Sequence, residues 1–370
     1  MKVLVVKTFD YTLESWNQTG TLDRELSLYK MLNSKFNIEF TILTWTNNEN
    51  FNKLSEFGIE VFPIYKNEVI PNNKVLRILK SFILPIKLKK YLGSVDIIKQ
   101  NQLMGAWFSI ILKIILRKPL YIRTGYDMYE FAKQEKKSLF KKTMYKFLTK
   151  LSLMFSDLYT VSSKSDLNLF RNKKVVLRRN WILNSKYDSL SNRYSRRILS
   201  VGRIEKQKDF IHLIREVAGL NNIQLDIVGE GSEVDTLKKY AKTMNVKVNF
   251  LGNLNHDKLE ELYKKYKYYV STSSYEGNPK TILEALSFGC VVVLSNIPNH
   301  SELVEHNISG FIFNKKNNDL KNLLISILDG IYDLDEIAKK GFESVQKNNA
   351  LYQAVESEFK DYNALLNKSM

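Results

Sequence analysis

The sequence has a single cysteine, Cys290, in 370 residues. That excludes an intrachain disulfide framework and any cysteine-based zinc cluster. Histidine is nearly as scarce, and His212, His256, His300 and His306 stand at no metal-ligand spacing. Acidic residues are in deficit, 39 against 56 Lys and Arg, which leaves a formal charge of +17. Long hydrophobic runs are missing as well. The most apolar stretch, Ala106 to Leu116, is about half a membrane span and contains Lys113. The opening residues MKVLVVKTFDYT lack the extended apolar core of a signal peptide and read as a buried first strand. A cytoplasmic chain is expected, soluble or peripheral on the inner face of the cell membrane. What is present is a 44% apolar composition, enough for real cores, and a length that suits about two domains.

The charge is unevenly placed. Residues 1–180 hold 31 Lys and Arg against 15 acids, a net of +16, while the remainder is close to neutral. One half of the chain therefore expects an anionic partner: nucleic acid, a membrane surface or a phosphorylated substrate. Two stretches carry most of the excess. Arg77 to Leu92 has five basic residues and no acid; Lys133 to Lys150 has seven Lys and one Glu. In the second, Phe140, Met144, Phe147, Leu148 and Leu151 fall on one helical stripe, the pattern of a basic amphipathic helix at an anionic membrane surface. A stripe packed on the core beneath solvated lysines has the same spacing. Aromatics are interleaved with the lysines, but no nucleic-acid motif accompanies them, so nucleic acid is not the expected partner.

Short apolar runs alternate with helix-like stretches. KVLVV, EFTILTW, VDIIKQ, PLYIRT and LYTVSS read as strands in the first half. ILSVGR, QLDIVG, VNFLG, YYVSTS and CVVVLS do so in the second. Continuous β-branched runs between helices predict an α/β architecture with parallel sheets buried on both faces. Two such series predict two Rossmann-like domains, residues 1–185 and 196–349, parted by the polar stretch Ser185 to Ser195. A last helix over 350–370 is expected to pack back on the first domain.

Three segments carry candidate chemistry. In SSYEGNPKTILEALSFG (Ser273 to Gly289) a strand runs into a loop and then a helix, with Asn278 expected as N-cap and Pro279 at the first helical position. The amides of Lys280, Thr281 and Ile282 and the positive end of the dipole would make an anion site there. Glu276 before the helix and Glu284 within it are placed to bind hydroxyls on either side of a diphosphate. An ordinary capped helix with solvated acids reads the same from this segment alone. In SVGRIEKQKDF (Ser200 to Phe210), Gly202 turns the chain after a strand. Arg203 and Lys208 then supply a fork and a point charge suited to a pyrophosphate. In DIVGEGSEVDTL, Gly229-Glu230-Gly231 makes a tight turn, without the third glycine of a dinucleotide fingerprint.

In that order and spacing, over about residues 197–312, the segments resemble the C-terminal half of retaining GT-B glycosyltransferases of glycosyltransferase family four. The carriers are Gly202-Arg203 with Lys208, then GEG, VNFLG, and Glu276 and Glu284 with EGNPKTILEA around them. The resemblance implies the GT-B fold, two Rossmann-like domains with a cleft between them. It also implies transfer of a sugar from a nucleotide-diphosphate sugar to a glycan or lipid-linked acceptor. Arg203 and Lys208 would hold the donor diphosphate, Glu276 the sugar hydroxyls and Glu284 the ribose. Backbone at Leu251 and Gly252 would meet the base. No metal cofactor is implied, because Arg, Lys and a helix end neutralise the leaving group. The first half departs from the pattern. The usual glycine-rich loop is reduced to Gly20, which would approach the diphosphate with Thr21 opening the next helix. The usual histidine is replaced by YIRTGYDMYEF, where Arg123 and Asp127 are the candidate sugar or acceptor contacts; a turn held by Asp127 is the other reading. Cys290 stands where proline is common and is expected as a buried strand residue with no basic neighbour. Bacterial surface-polysaccharide assembly is the implied setting. A catalytically idle GT-B scaffold and a basic nucleic-acid-binding protein are the alternatives, and the joint presence of Arg203, Lys208, Glu276 and Glu284 speaks against the first.

Overall fold

The apolar runs of the two halves form two separate, wholly parallel sheets. A computed structural model describes residues 1–18, 22–48, 52–170, 174–183, 185–316 and 318–369. The first sheet holds β1 (Lys2–Val6), β2 (Glu39–Thr44), β3 (Ile59–Pro63), β4 (Ile97–Asn101), β5 (Leu120–Arg123), β6 (Leu158–Val161) and β7 (Val175–Leu177), in the order β3-β2-β1-β4-β5-β6-β7. The second holds β8 (Tyr194–Val201), β9 (Gln224–Val228), β10 (Val248–Phe250), β11 (Tyr266–Ser271), β12 (Val291–Ser295) and β13 (Phe311–Phe313), in the order β10-β9-β8-β11-β12-β13. Residues 3–6 of β1 and all of β12 are buried, as strands with helices on both faces must be. In each sheet the order reverses beside the first strand, between β1 and β4 and between β8 and β11. Such reversals open a crevice at the carboxyl ends of the strands.

The chain divides into two compact units, Met1–Arg179 with Tyr352–Met370, and Asn180–Leu351. The division lies ahead of the polar stretch 185–195, because Ile182 is an inward residue of the second unit. Its amide donates to Asn349 O at 2.8 Å, and its side chain joins the core of Leu199, Val201 and Leu283. The helix Leu351–Ser369 packs within the first unit: Phe359 stacks on Phe36 at 3.7 Å between ring centroids, and Arg178 Nε donates to Asp361 at 2.7 Å. Inside that unit Lys99 of β4, 1% exposed, is paired with Glu358, 2% exposed, which also accepts from the Tyr362 hydroxyl. Burial lowers the Lys99 ammonium pKa, and Glu358 acts against that shift.

Three strands escape the apolar-run pattern: β3, β7 and β13. Each lies at a sheet edge, and β7 and β13 have three residues apiece. An edge strand buries less and tolerates a terminal proline such as Pro63. The basic helix Leu139–Phe155 splits its expected stripe. Leu148 is buried and Leu151 packs on the core, whereas Phe140 and Phe147 face solvent. Among the described residues no helix is long and apolar enough to cross a membrane.

Candidate active site

The loops that leave β8 and β11 meet at the strand-order reversal of the second sheet. β8 and β11 are neighbours, with Leu199 beside Tyr269, so residues some 70 positions apart in sequence leave the sheet side by side. The two loops are laced together. Thr272 Oγ1 donates to the carbonyls of Lys208 (2.9 Å) and Asp209 (3.0 Å), and Ser274 N donates to Gln207 O (2.9 Å). Gln207 Nε2 donates to Tyr275 O at 2.7 Å.

This lacing sets Lys208 Nζ 2.6 Å from Glu276 Oε1, with side chains 15% and 9% exposed. Ser273 Oγ donates to the same carboxylate oxygen at 2.7 Å. Burial would raise the Glu276 pKa, but Lys208 and Ser273 outweigh it and hold it below the usual carboxylate value. Lys208 lies over the turn at Gly202: a Cβ there would stand 2.7 Å from Lys208 Cε. Arg203, on the same turn, is exposed and has no ion pair among the described residues.

The glycines of the GEG turn serve packing. Gly229 has φ +135°, and a Cβ on it would stand 2.0 Å from the Gly202 carbonyl oxygen. The turn after β9 therefore presses on the turn after β8, and Ile204 N donates to Glu230 O at 2.8 Å. Gly252, at φ +66°, gives its carbonyl to Gly229 N at 2.8 Å, and Asn253 Nδ2 donates to Glu230 at 3.1 Å. Leu251 beside it is partly exposed.

The helix of the third segment is Lys280–Ser287, and its N-cap is Pro279, not Asn278. The expected capping by Asn278 fails because the chain is extended at Pro279 (φ −73°, ψ 107°), which moves the helix start one residue on. The Asn278 carbonyl instead accepts from Asn180 Nδ2 at 3.0 Å. Pro279 supplies no capping side chain, so the start of the helix keeps its anion-favouring dipole. Thr281 Oγ1 accepts from Tyr269 OH (2.9 Å), and Glu284 accepts from Tyr263 OH (3.3 Å). Lys280, Thr281 and Glu284 are all half-buried.

Several contributors carry no sequence signal. Lys315 Nζ, beyond the unrecognised β13, bridges Asp209 and Ser274, both at 2.8 Å. His300 is fully buried behind Glu276: its Nδ1 lies 2.9 Å from the Ser295 carbonyl, and Ser295 Oγ donates to Ser273 O at 2.6 Å. Burial lowers the imidazole to about 4, so the ring is neutral near pH 7. Cys290 is buried as expected and pushed up to about 12 by that burial, but it does have a basic neighbour, Arg193, at 3.9 Å.

Candidates of the first unit are already occupied structurally. Asp127 caps the helix Met128–Gln134, accepting from Glu130 N at 2.7 Å, and burial raises its pKa. Arg123 ends β5 with its guanidinium 3.7 Å from Glu358 and donates to Arg179 O at 3.4 Å. Gly20 and Thr21 lie outside the described residues.

Residues 184–343, which hold all of the Arg203–Glu284 cluster, match the model of the glycosyl transferases group 1. Over that stretch the chain is similar to this family. The matched stretch lies within the second unit. Over 285 residues the chain is 25% identical to a Campylobacter jejuni alpha-1,4-N-acetyl-D-galactosaminyltransferase whose named acceptor is an undecaprenol diphosphate glycan, covering 74% of this chain and 76% of that one. Two further curated glycosyltransferases, 36% and 32% identical, are spanned over only 33% and 38% of their length. Among solved structures, sucrose-phosphate synthase from Thermosynechococcus elongatus superposes with a TM-score of 0.80 at 17% identity, covering 100% of both chains. Anabaena HepE in complex with UDP-glucose gives 0.75 at 17% identity, covering 98% of this chain and 100% of that one. The fold is GT-B.

Proposed function

We propose that the protein is a retaining glycosyltransferase of family four. It transfers a sugar from a nucleotide-diphosphate sugar to a lipid-linked or surface-polysaccharide acceptor at the cytoplasmic face of the membrane. The observation that carries this reading is the Lys208–Glu276 pair at the β8/β11 reversal of a group 1 domain, with Arg203 beside it. Lys208 and Arg203 hold the diphosphate and take up the charge that develops as it leaves. Glu276, kept ionised by Lys208, accepts hydrogen bonds from hydroxyls of the donor sugar. Glu284, eight residues on, accepts from the ribose. The turn at Leu251–Gly252 meets the base, and the first turn of the helix at Lys280 and Thr281 faces the phosphates. The acceptor oxygen bonds to the anomeric carbon on the face from which the phosphate oxygen departs. The acceptor proton passes to that phosphate, and the nucleoside diphosphate is released. No metal is required in this scheme: Lys208 already pairs with Glu276, and Arg203 and Lys280 add positive charge for the diphosphate.

A thermal-shift panel of UDP, GDP and ADP sugars tests the reading. A donor at a hundred times its Kd stabilises the fold by about 2.7 kcal/mol. One nucleotide is expected to raise the transition temperature; no response to any of the three would refute the donor site.

A further inference from the structure

The first unit leaves an apolar surface without a cover. Beyond β3 come two short helices, Lys74–Ser81 and Leu84–Leu88. Val75, Leu76, Leu79, Phe82, Ile83 and Ile86 are 46–63% exposed, six large apolar side chains within twelve positions. Helical spacing puts 75, 79, 82, 83 and 86 on one side. Ile78, Leu84 and Leu88 face the other way, into the core. The segment is therefore apolar on both sides, and the protein covers only one of them.

This is no frayed end. Asn73 caps the first helix, accepting from Val75 N at 2.8 Å. Arg77 grips Asp10 with two nitrogens at 3.0 Å. Trp107 Nε1 donates to Ser81 Oγ at 2.8 Å. The exposed side chains are held out by a fixed backbone.

Beside the strip lies a cavity of about 740 Å³, lined in part by Lys66, Lys87, Lys89, Lys90 and Tyr91. Its one carboxylate, Glu68, is engaged by Lys80 (2.7 Å) and Lys87 (2.5 Å), which hold it down to about 2. The pocket is cationic on balance. Residues 77–92 contain no acid at all, so a second copy laid on this face would set like charge against like.

We propose that this surface docks on an anionic lipid bilayer. The strip of Val75, Leu79, Ile83 and Ile86 enters the zone between headgroups and acyl chains, and the lysine pocket receives a headgroup phosphate. The proposal rests on the membrane-face reading above and names the element that makes the contact. An interfacial element of this kind binds through buried apolar area together with attraction to anionic headgroups. The two contributions respond differently to salt, which makes them separable.

The test is co-sedimentation with phosphatidylcholine vesicles, with and without phosphatidylglycerol, at two salt concentrations. Four proteins are compared: wild type, Leu79→Gln with Ile83→Gln, Lys89→Gln with Lys90→Gln, and Lys141→Gln with Lys142→Gln on the other basic helix. All the replaced side chains are exposed except the half-buried Lys142, so thermal unfolding should stay at the wild-type value. The wild type is expected to bind the anionic vesicles. The apolar pair should lower partitioning by about a hundredfold at both salt concentrations. The Lys89/Lys90 pair should lower it at low salt and flatten the salt dependence, and the Lys141/Lys142 pair should matter less. If the wild type binds and the apolar pair binds equally well, this surface is not the docking element, although the membrane-face reading survives. A wild type that stays in the supernatant overturns both. A dimer in solution that the apolar pair dissociates overturns the lipid assignment in favour of a second copy. Nucleotide binding, followed separately by calorimetry, bears on the donor site alone.

Discussion

Gly202→Ala isolates the placement of Lys208 from its presence. A methyl at position 202 would stand 2.7 Å from Lys208 Cε and 3.1 Å from Nζ. Ordinary carbon contacts lie at about 3.5–4.0 Å, so the end of the lysine must move by about 1 Å. Its hydrogen bond to Glu276 is 2.6 Å long, and a displacement of that size carries it out of bonding range. A misplacement of about 1 Å in a catalytic group costs on the order of a hundredfold in rate. The fold should survive. Gly202 is not at a positive φ, and the obstructing atoms belong to a flexible side chain, so the stability loss is limited to one charged hydrogen bond, about 2 kcal/mol. Gly229→Ala is the contrasting case. Its methyl would meet the Gly202 carbonyl oxygen at 2.0 Å with φ at +135°, and no side-chain motion relieves that. The assay is donor turnover beside thermal unfolding for both variants. Turnover at the wild-type level in Gly202→Ala would refute the placement argument. So would unfolding of Gly202→Ala to the same extent as Gly229→Ala.

Four further outcomes are expected. Lys208→Ala should cut turnover by about two orders of magnitude or more with a confirmed donor, the usual loss for one electrostatic stabiliser, and normal turnover would remove Lys208 from the mechanism. Glu284→Ala should weaken nucleoside diphosphate binding in calorimetry, whereas Glu276→Ala should spare it and still impair transfer; equal losses would show one acid misassigned. His300, lowered from 6.5 to about 4, binds its proton in the unfolded chain first, so stability should fall by about 3 kcal/mol as pH drops from 6.5 to 4. In urea unfolding, His300→Asn should flatten that limb, and unchanged steepness would sink the assignment. Glu358→Ala strands the buried Lys99 charge and should cost about 3–5 kcal/mol, while Glu358→Leu combined with Lys99→Met should recover most of it; a double variant no better than the single would argue against a charge effect.

Local pattern carried the sheets as far as apolar burial reaches. The interior strands announced themselves because they are covered on both faces, as in VVVLS of β12. The short edge strands β7 and β13 did not, and with β13 went any view of Lys315. Arg203, Lys208 and Glu276 were visible because each follows a strand with recognisable punctuation, and Glu284 because of its spacing from Glu276 within the helix that comes next. Their meeting was not visible from sequence, since it depends on β8 lying beside β11. Gln207 and His300 act through hydrogen bonds to backbone carbonyls and Ser273 through one to the Glu276 carboxylate, and such bonds leave no periodic trace. The single-residue slip at Asn278 and Pro279 has the same origin: either residue can precede a helix, and the choice is made by how the chain arrives.

The pairing of Lys99 with Glu358 also sets a schedule. The two residues are 259 positions apart, so a ribosome adding about 5–20 residues per second finishes the carboxylate roughly 10–50 s after the lysine. Throughout that interval β4 carries an ammonium meant for a dry interior, and the stacking partner of Phe36 does not yet exist. The second unit, continuous in sequence from Asn180 to Leu351, can close in the meantime. The order of maturation is then the reverse of the order of synthesis, with the amino-terminal unit completed last. Chaperone occupancy on arrested nascent chains should accordingly stay high on the first unit until the final helix has emerged.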